Sequence, residues 1–341
     1  MRKYRGELMK MTFDEIYYEP QIMEYELGKF LLEKYKHLPK FEITSHNKIE
    51  EFRGTENKDF PKLKAHLIIG TRKTHKYVEN HKVSDFLVPY TSSGCRAMCL
   101  YCYLVCNYNK YSYLRLFVNR EEMLSRLIKH SHKSELPLTY EIGSNSDLIM
   151  ENVITNNLEY TINNFARNGR GKLTFPSKFD MVEPLLNLEH KKKIIFRMSV
   201  NPSEIVKRVE IGTSSLKDRV IAVNKMAEAD YEIGLLIAPV IMVDDWELLY
   251  SELINFLSDN LSAKVKRDGF IEIILMSYSF VHNAINSEAF KSSMPIFDKE
   301  KMKGRGRGKY NYKDNYRKIA EDFFYGELAK KLPDMKIIYI S

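Results

Sequence analysis

Cysteine is scarce in this 341-residue chain: there are four, and all fall between Cys95 and Cys106. A disulfide framework would spread its cysteines to staple distant segments, so this clustering points to a metal site instead. Tryptophan occurs once. No internal repeat and no low-complexity tract is visible, which sets aside repeat arrays and disordered tails. Long apolar runs are missing too. The longest, IGLLIAPVIMV from Ile233 to Val243, falls short of the ~20 residues a membrane-spanning helix needs and reads as a buried strand. The start, MRKYRGELMKMTFDEI, is charged throughout and lacks the apolar core of a secretory signal. A cytoplasmic location is therefore expected. The nine histidines contain no His-x-x-x-His pair and are read as structural or exposed.

What is present is ordinary for a folded protein: 44% hydrophobic residues, with 22 Tyr and 18 Phe. The length allows one large domain with appendages, or two modest ones. The net charge of +8 favours a polyanionic partner such as nucleic acid. Along the chain, residues 1–88 read as an N-terminal cap, in which AHLIIG (65–70) and DFLVPY (85–90) are strand-like. From 89 to 280 strands and helices alternate. Strands are expected at 139–144, 172–178, 193–200, 231–242 and 270–278, and helices at 151–169, 179–188, 214–230 and 245–261. This alternation implies right-handed βαβ units and a parallel sheet. On pattern alone a full or partial (β/α) barrel and a doubly wound sheet are both open. Either places a site at the carboxyl ends of the strands. Residues 281–341 form a C-terminal region with a basic segment, a helix and a last strand, KIIYIS.

The cysteines carry the chemistry. Cys95, Cys99 and Cys102 form Cys-x3-Cys-x2-Cys on a loop that follows a strand. Three thiolates on a tight loop can hold three irons of a 4Fe-4S cubane and leave the fourth open to a small molecule. In the radical SAM superfamily that molecule is S-adenosylmethionine, and the cofactor carries the hard chemistry. Tyr101, directly before the third cysteine, resembles the superfamily aromatic that packs near the adenine. The bland alternative is one zinc ion on all four thiols. Structural zinc sites usually pair two knuckles a dozen or so residues apart, and four ligands inside twelve residues would be cramped.

The chain resembles one family of that superfamily, spore photoproduct lyase. The resemblance is strongest at SGCRAMCLYCYL (93–104) and extends through TSHN (44–47), SNSD (144–147), GKLTFPSKF (171–179), FRMSVNP (196–202), GLLIAPVIM (234–242) and GRGKYNYK (306–313). It implies a partial (β/α)6 TIM-like barrel. It also implies a 4Fe-4S cluster on Cys95, Cys99 and Cys102, S-adenosylmethionine, and reversal of a methylene-bridged thymine dimer to two thymines. Tyr101 and Tyr103 match the family's paired tyrosines near SAM and in the radical relay. Ser146, Lys178 and Ser199 match positions lining the SAM and lesion pocket, with Asn201 and Ala238 as further SAM contacts. The implied partners are double-stranded DNA carrying the lesion and a ferredoxin- or flavodoxin-type electron donor, acting on a monomer.

One departure stands out. The family's hydrogen-donor cysteine precedes the SD stretch, where this chain has Ser144. A serine O–H bond is much stronger than a thiol S–H bond, so Ser144 should not donate a hydrogen atom to a carbon radical. Cys106, four residues after Cys102, and Tyr103 are the alternative donors; the bland reading of Cys106 is a small buried apolar residue. Glu141 and Asp147 either bind the SAM amino group or form buried ion pairs. The segment 303–318 holds seven Lys or Arg and one acid, interleaved with tyrosines. Arg305, Arg307, Lys309 and Tyr310 are its candidate DNA contacts: arginines grip phosphates, glycines allow close backbone approach, and tyrosines stack on exposed bases.

Overall fold

The computed structural model describes residues 12–341; most of the charged start lies outside them. Eight strands form the main sheet: β1 (Val78–Glu79), β2 (Phe86–Leu87), β3 (Thr139–Glu141), β4 (Lys172–Ser177), β5 (Ile194–Val200), β6 (Glu232–Val240), β7 (Phe270–Leu275) and β8 (Lys336–Ile340). Their spatial order is their chain order, β1 to β8. From β2 to β8 every neighbouring pair is parallel; only β1 runs antiparallel to β2. A doubly wound sheet reverses strand order at a switch point, whereas unbroken sequential order makes a barrel wall. The wall is open, with β1 and β8 as its edges. Across the gap, Lys82 reaches β8: its Nζ lies 3.1 Å from Ser341 Oγ and 4.6 Å above the Tyr339 ring. Strands β3 to β8 constitute the partial (β/α)6 barrel, and the sheet as a whole draws strands from all three segments delimited at 88 and 280.

Parallel register puts matching residues of neighbouring strands on one face. Leu173, Phe175, Phe196, Met198, Leu235, Ile237, Ile271 and Ile273 share the outer face and are all buried. Burying one such side chain is worth roughly 1.5–3 kcal/mol, so this face fixes the register. The inner face is polar. Arg197 bonds Glu272 at 3.1 Å, pairs with Glu141, and donates to Thr174 Oγ1 at 2.9 Å. Gly234 makes room for it, since a Cβ there would sit 3.0 Å from Arg197 Cγ and 2.6 Å from the Phe270 ring. Glu141 thus belongs to a buried ion network rather than waiting for an amine.

Two expected helices differ. The 179–188 helix is only a 3-10 turn, Glu183–Leu185. In a helix begun at Phe179, Pro184 would have no N–H for the Asp180 carbonyl and its ring would clash there; it is tolerated in the first turn of a short 3-10 segment. The 151–169 helix is two, Leu148–Thr155 and Asn157–Asn168, separated by Asn156 in the left-handed conformation at φ 55°. Asn152 enforces the break: its Oδ1 accepts from the Leu158 and Glu159 amides, caps for the second helix. The first helix begins earlier than expected because Asp147 caps it, accepting from the Ile149 and Met150 amides. With Ser177 and the Lys178 amide also bonded to Asp147, this acid too is a structural tie.

A second, five-stranded sheet holds Lys40–Glu42, Glu15–Tyr18, His66–Gly70, Leu114–Phe117 and Ser92–Ser93 in that order. It backs the cysteine loop. No helix among the described residues is long and apolar enough to cross a membrane.

Candidate radical SAM centre

The loop begins at Gly94, whose φ of 77° favours glycine; a Cβ there would lie 1.8 Å from the Tyr113 carbonyl oxygen. Each motif cysteine is then anchored by a different part of the chain. The Cys95 amide donates to Ser112 O at 3.2 Å, and its carbonyl accepts from Lys64 Nζ at 2.8 Å. Cys99 lies in a two-residue strand, Met98–Cys99, paired antiparallel with Glu210–Ile211. The Cys102 carbonyl contacts His282 Nε2 at 2.9 Å and opens the helix Tyr103–Tyr108. Burial pushes the free Cys95 thiol up to about 12, against the pull of Lys64; ligation to a metal deprotonates such a thiol outright. Among the described residues no three thiol, imidazole or carboxylate groups converge as on one metal ion. A cubane takes one thiolate per corner iron and spaces its ligands more widely than a single zinc does.

Beside the loop sits a carboxylate that the sequence reading missed. Glu210 is wholly buried between Arg219 NH2 at 2.6 Å and Lys178 Nζ at 3.3 Å. It also accepts from the Tyr101 hydroxyl and from Asn201 Nδ2, the latter at 2.8 Å. Burial works to raise its pKa; Arg219, then Lys178, then the Tyr101 and Asn201 hydrogen bonds outweigh that and hold it at about 2. Three expected cofactor contacts, Tyr101, Lys178 and Asn201, are therefore fastened to one carboxylate, and Glu210 is itself the backbone partner of Cys99. Lys178 Nζ further donates to Ala238 O at 3.1 Å and lies 5.6 Å from the Tyr101 ring centroid. Asn201 accepts from Tyr250 at 3.0 Å. Ser199 and Ala238 lie on the inner barrel face with them, by register with Leu236 and its neighbours, and the Ser199 carbonyl is held by Arg219 at 3.0 Å. Ser146, in the loop after β3, has a buried hydroxyl oxygen with no hydrogen-bond partner among the described residues. Buried polar atoms are nearly always paired, so this one fits a small polar ligand at the carboxyl ends of the strands.

The spore photoproduct lyase family model matches residues 11–341. The chain belongs to the spore photoproduct lyase family. It is 30% identical to the spore photoproduct lyase of Bacillus subtilis (strain 168), over 96% of this chain and 97% of that one. It is 29% identical to that of Geobacillus sp. (strain Y412MC61), over 96% and 98%. A solved spore photoproduct lyase complexed with dinucleoside spore photoproduct superimposes with TM-score 0.90 at 28% identity, covering 97% of this chain and 99% of that one.

Measured against the family's paired tyrosines, Tyr101 and Tyr103 part company here: Tyr101 is 8% exposed and Tyr103 53%. Cys106 is exposed, which removes the reading of it as a buried apolar filler. Its Sγ lies 3.5 Å from Ser279 Oγ and 4.0 Å from His282 Nε2, and the His282 contact leads the effects that lower its pKa. Ser144 lies in the same loop as Ser146, after β3.

The basic segment is a hairpin, Met302–Gly304 with Lys309–Tyr312, extended by Ser277–Ser279. Its tip holds Gly306, Arg307 and Gly308 in the left-handed region. Arg305, Arg307 and Lys309 are exposed. Tyr310 is half-buried, edge-on to Phe280 and Phe297 at 5.4 and 5.0 Å. Phe280 is 62% exposed.

Proposed function

We propose that this chain is a radical SAM carbon–carbon lyase of DNA repair, reversing the methylene-bridged thymine dimer to two thymines. The observation that carries the reading is the Glu210 hub. One buried carboxylate fastens Tyr101, Lys178 and Asn201 next to the strand that presents Cys99.

When bound, the 4Fe-4S cluster and S-adenosylmethionine supply a 5′-deoxyadenosyl radical. Cys95, Cys99 and Cys102 hold the cluster. Tyr101, Ser146, Lys178, Ser199, Asn201 and Ala238 line the S-adenosylmethionine pocket, with the free Ser146 hydroxyl offered as a hydrogen-bonding group. Arg305, Arg307 and Lys309 take phosphates of double-stranded DNA, and Tyr310 offers a ring to a base. The lesion leaves the stack to reach the barrel, as bases do in other enzymes that act on them. Electrons come from a flavodoxin- or ferredoxin-type donor, and the working unit is a monomer. With Ser144 at the family's donor position, Cys106 or Tyr103 returns the hydrogen atom.

The test is anaerobic turnover of the reconstituted protein with S-adenosylmethionine, dithionite and a spore-photoproduct dinucleotide. Intact thymine dinucleotide is the expected product. 5′-Deoxyadenosine with a persisting lesion would instead mean a radical SAM enzyme acting on another substrate, the reading that Ser144 favours. If Cys106 is the donor, Cys106→Ala diverts the product radical to side products; an unchanged product distribution rules Cys106 out.

A further inference from the structure

Lys64 is one of the largest fully buried side chains in the molecule, with 0% exposure. A buried ammonium is costly unless paired with an anion and hydrogen-bonded. Its hydrogen bonds are clear: Nζ donates at 2.8 Å to the carbonyls of Cys95 and Ser112, and it lies 5.1 Å from the Phe60 ring centroid. Its anion is not. Nζ is held by two neutral carbonyls, one of them that of the motif cysteine Cys95, and among the described residues no carboxylate forms an ion pair with it.

The missing counter-ion is therefore the cluster. A 4Fe-4S core on three thiolates is anionic, and one-electron reduction adds a further negative charge. A fixed cation held in a low-dielectric setting beside it favours the reduced form. Cluster potentials respond to net charge, hydrogen bonding and solvent exposure.

We propose that Lys64 is a positioning residue of the cluster: it ties the cysteine loop to the second sheet and supplies the buried positive charge that eases cluster reduction by the external electron donor. This rests on the cluster reading above.

The experiment compares reconstituted wild type, Lys64→Gln and Lys64→Arg. Gln keeps a donor without the charge, and Arg keeps the charge. Iron is counted first, and the reduced cluster is then followed by EPR during a redox titration. We expect wild type and Lys64→Arg to agree within threefold. For Lys64→Gln we expect the ratio of reduced to oxidised cluster at fixed potential to fall about tenfold, about 59 mV for a one-electron couple. An unchanged midpoint in a fully loaded Lys64→Gln protein overturns the proposal alone. Wild type that takes up no iron overturns the cluster reading and the proposal with it. Thermal unfolding with and without cluster covers a variant that loads poorly. The proposal expects Lys64→Gln to lose melting temperature mainly in the loaded form. An equal loss in both forms, or no folded protein at all, makes Lys64 a plain strut and overturns the charge role.

Discussion

The Glu210 hub and the Arg305–Lys309 hairpin both hold positive groups, in opposite physical settings. At the hub, the Arg219 and Glu210 side chains are both 0% exposed and pair at 2.6 Å, with Asn201 and the Ser199 carbonyl as further fixed partners. At the hairpin, Arg305, Arg307 and Lys309 stand in solvent. Charges in the first setting are strong, immobile and expensive to break. Those in the second are screened by salt and worth little to stability. A small cofactor needs fixed geometry, whereas a long polyanion needs many forgiving contacts. The contrast matches each region to the ligand proposed for it.

The comparison can be broken most severely at the loop that the hub supports. Cys95→Ala, Cys99→Ala or Cys102→Ala should each abolish 5′-deoxyadenosine formation, with iron falling from about four per chain to a small residue. Iron analysis and product chromatography read both. Next in size is Glu210→Ala, which leaves Arg219 buried and unpaired. We expect a loss of about 3–5 kcal/mol, read from urea unfolding of the cluster-free chain.

The pH dependence of the same group sharpens the picture. The Glu210 carboxyl is held down to about 2 from the ordinary 4.5. A depressed carboxylate contributes stability above its unfolded pKa and loses it as pH falls through the folded one. Glu210 stabilisation should thus be complete above about pH 4.5 and vanish toward pH 2. Glu210→Gln should flatten that window in an acid unfolding series, and an unaltered slope would detach the hub from stability.

The hairpin should respond least. Replacing Arg305, Arg307 and Lys309 together by Ala should change folding stability by about 0.5 kcal/mol or less. It should leave dinucleotide turnover intact, weaken duplex binding, and reduce the salt slope by about 1 per charge removed. Fluorescence anisotropy at several salt concentrations measures this. A triple variant with unchanged duplex affinity would deny the hairpin its role.

Local patterns made much of this readable in advance. The cysteine spacing, the six barrel strands and the Gly- and Arg-rich tip all lie within short stretches, where residue type and period suffice. Reading failed where a local cue met a stronger constraint, as with Pro184 in the expected 179–188 helix and Asn152 splitting the next one upstream. It also failed for Glu210, Lys64 and His282. Each is a lone residue in an unremarkable context, more than thirty positions from the nearest motif cysteine it serves or fastened to several distant partners at once.

The cysteine motif, the strand succession and the basic tip were legible in the chain alone, because each is written in neighbouring residues. Only the tertiary structure decided three further things. The wall curls as a sequential barrel, and Glu141 and Asp147 are consumed by Arg197 and a helix start. Glu210 and Lys64 flank the cysteine loop. These depend on which distant side chains are buried together, and burial is what makes a lone charge seek its partner.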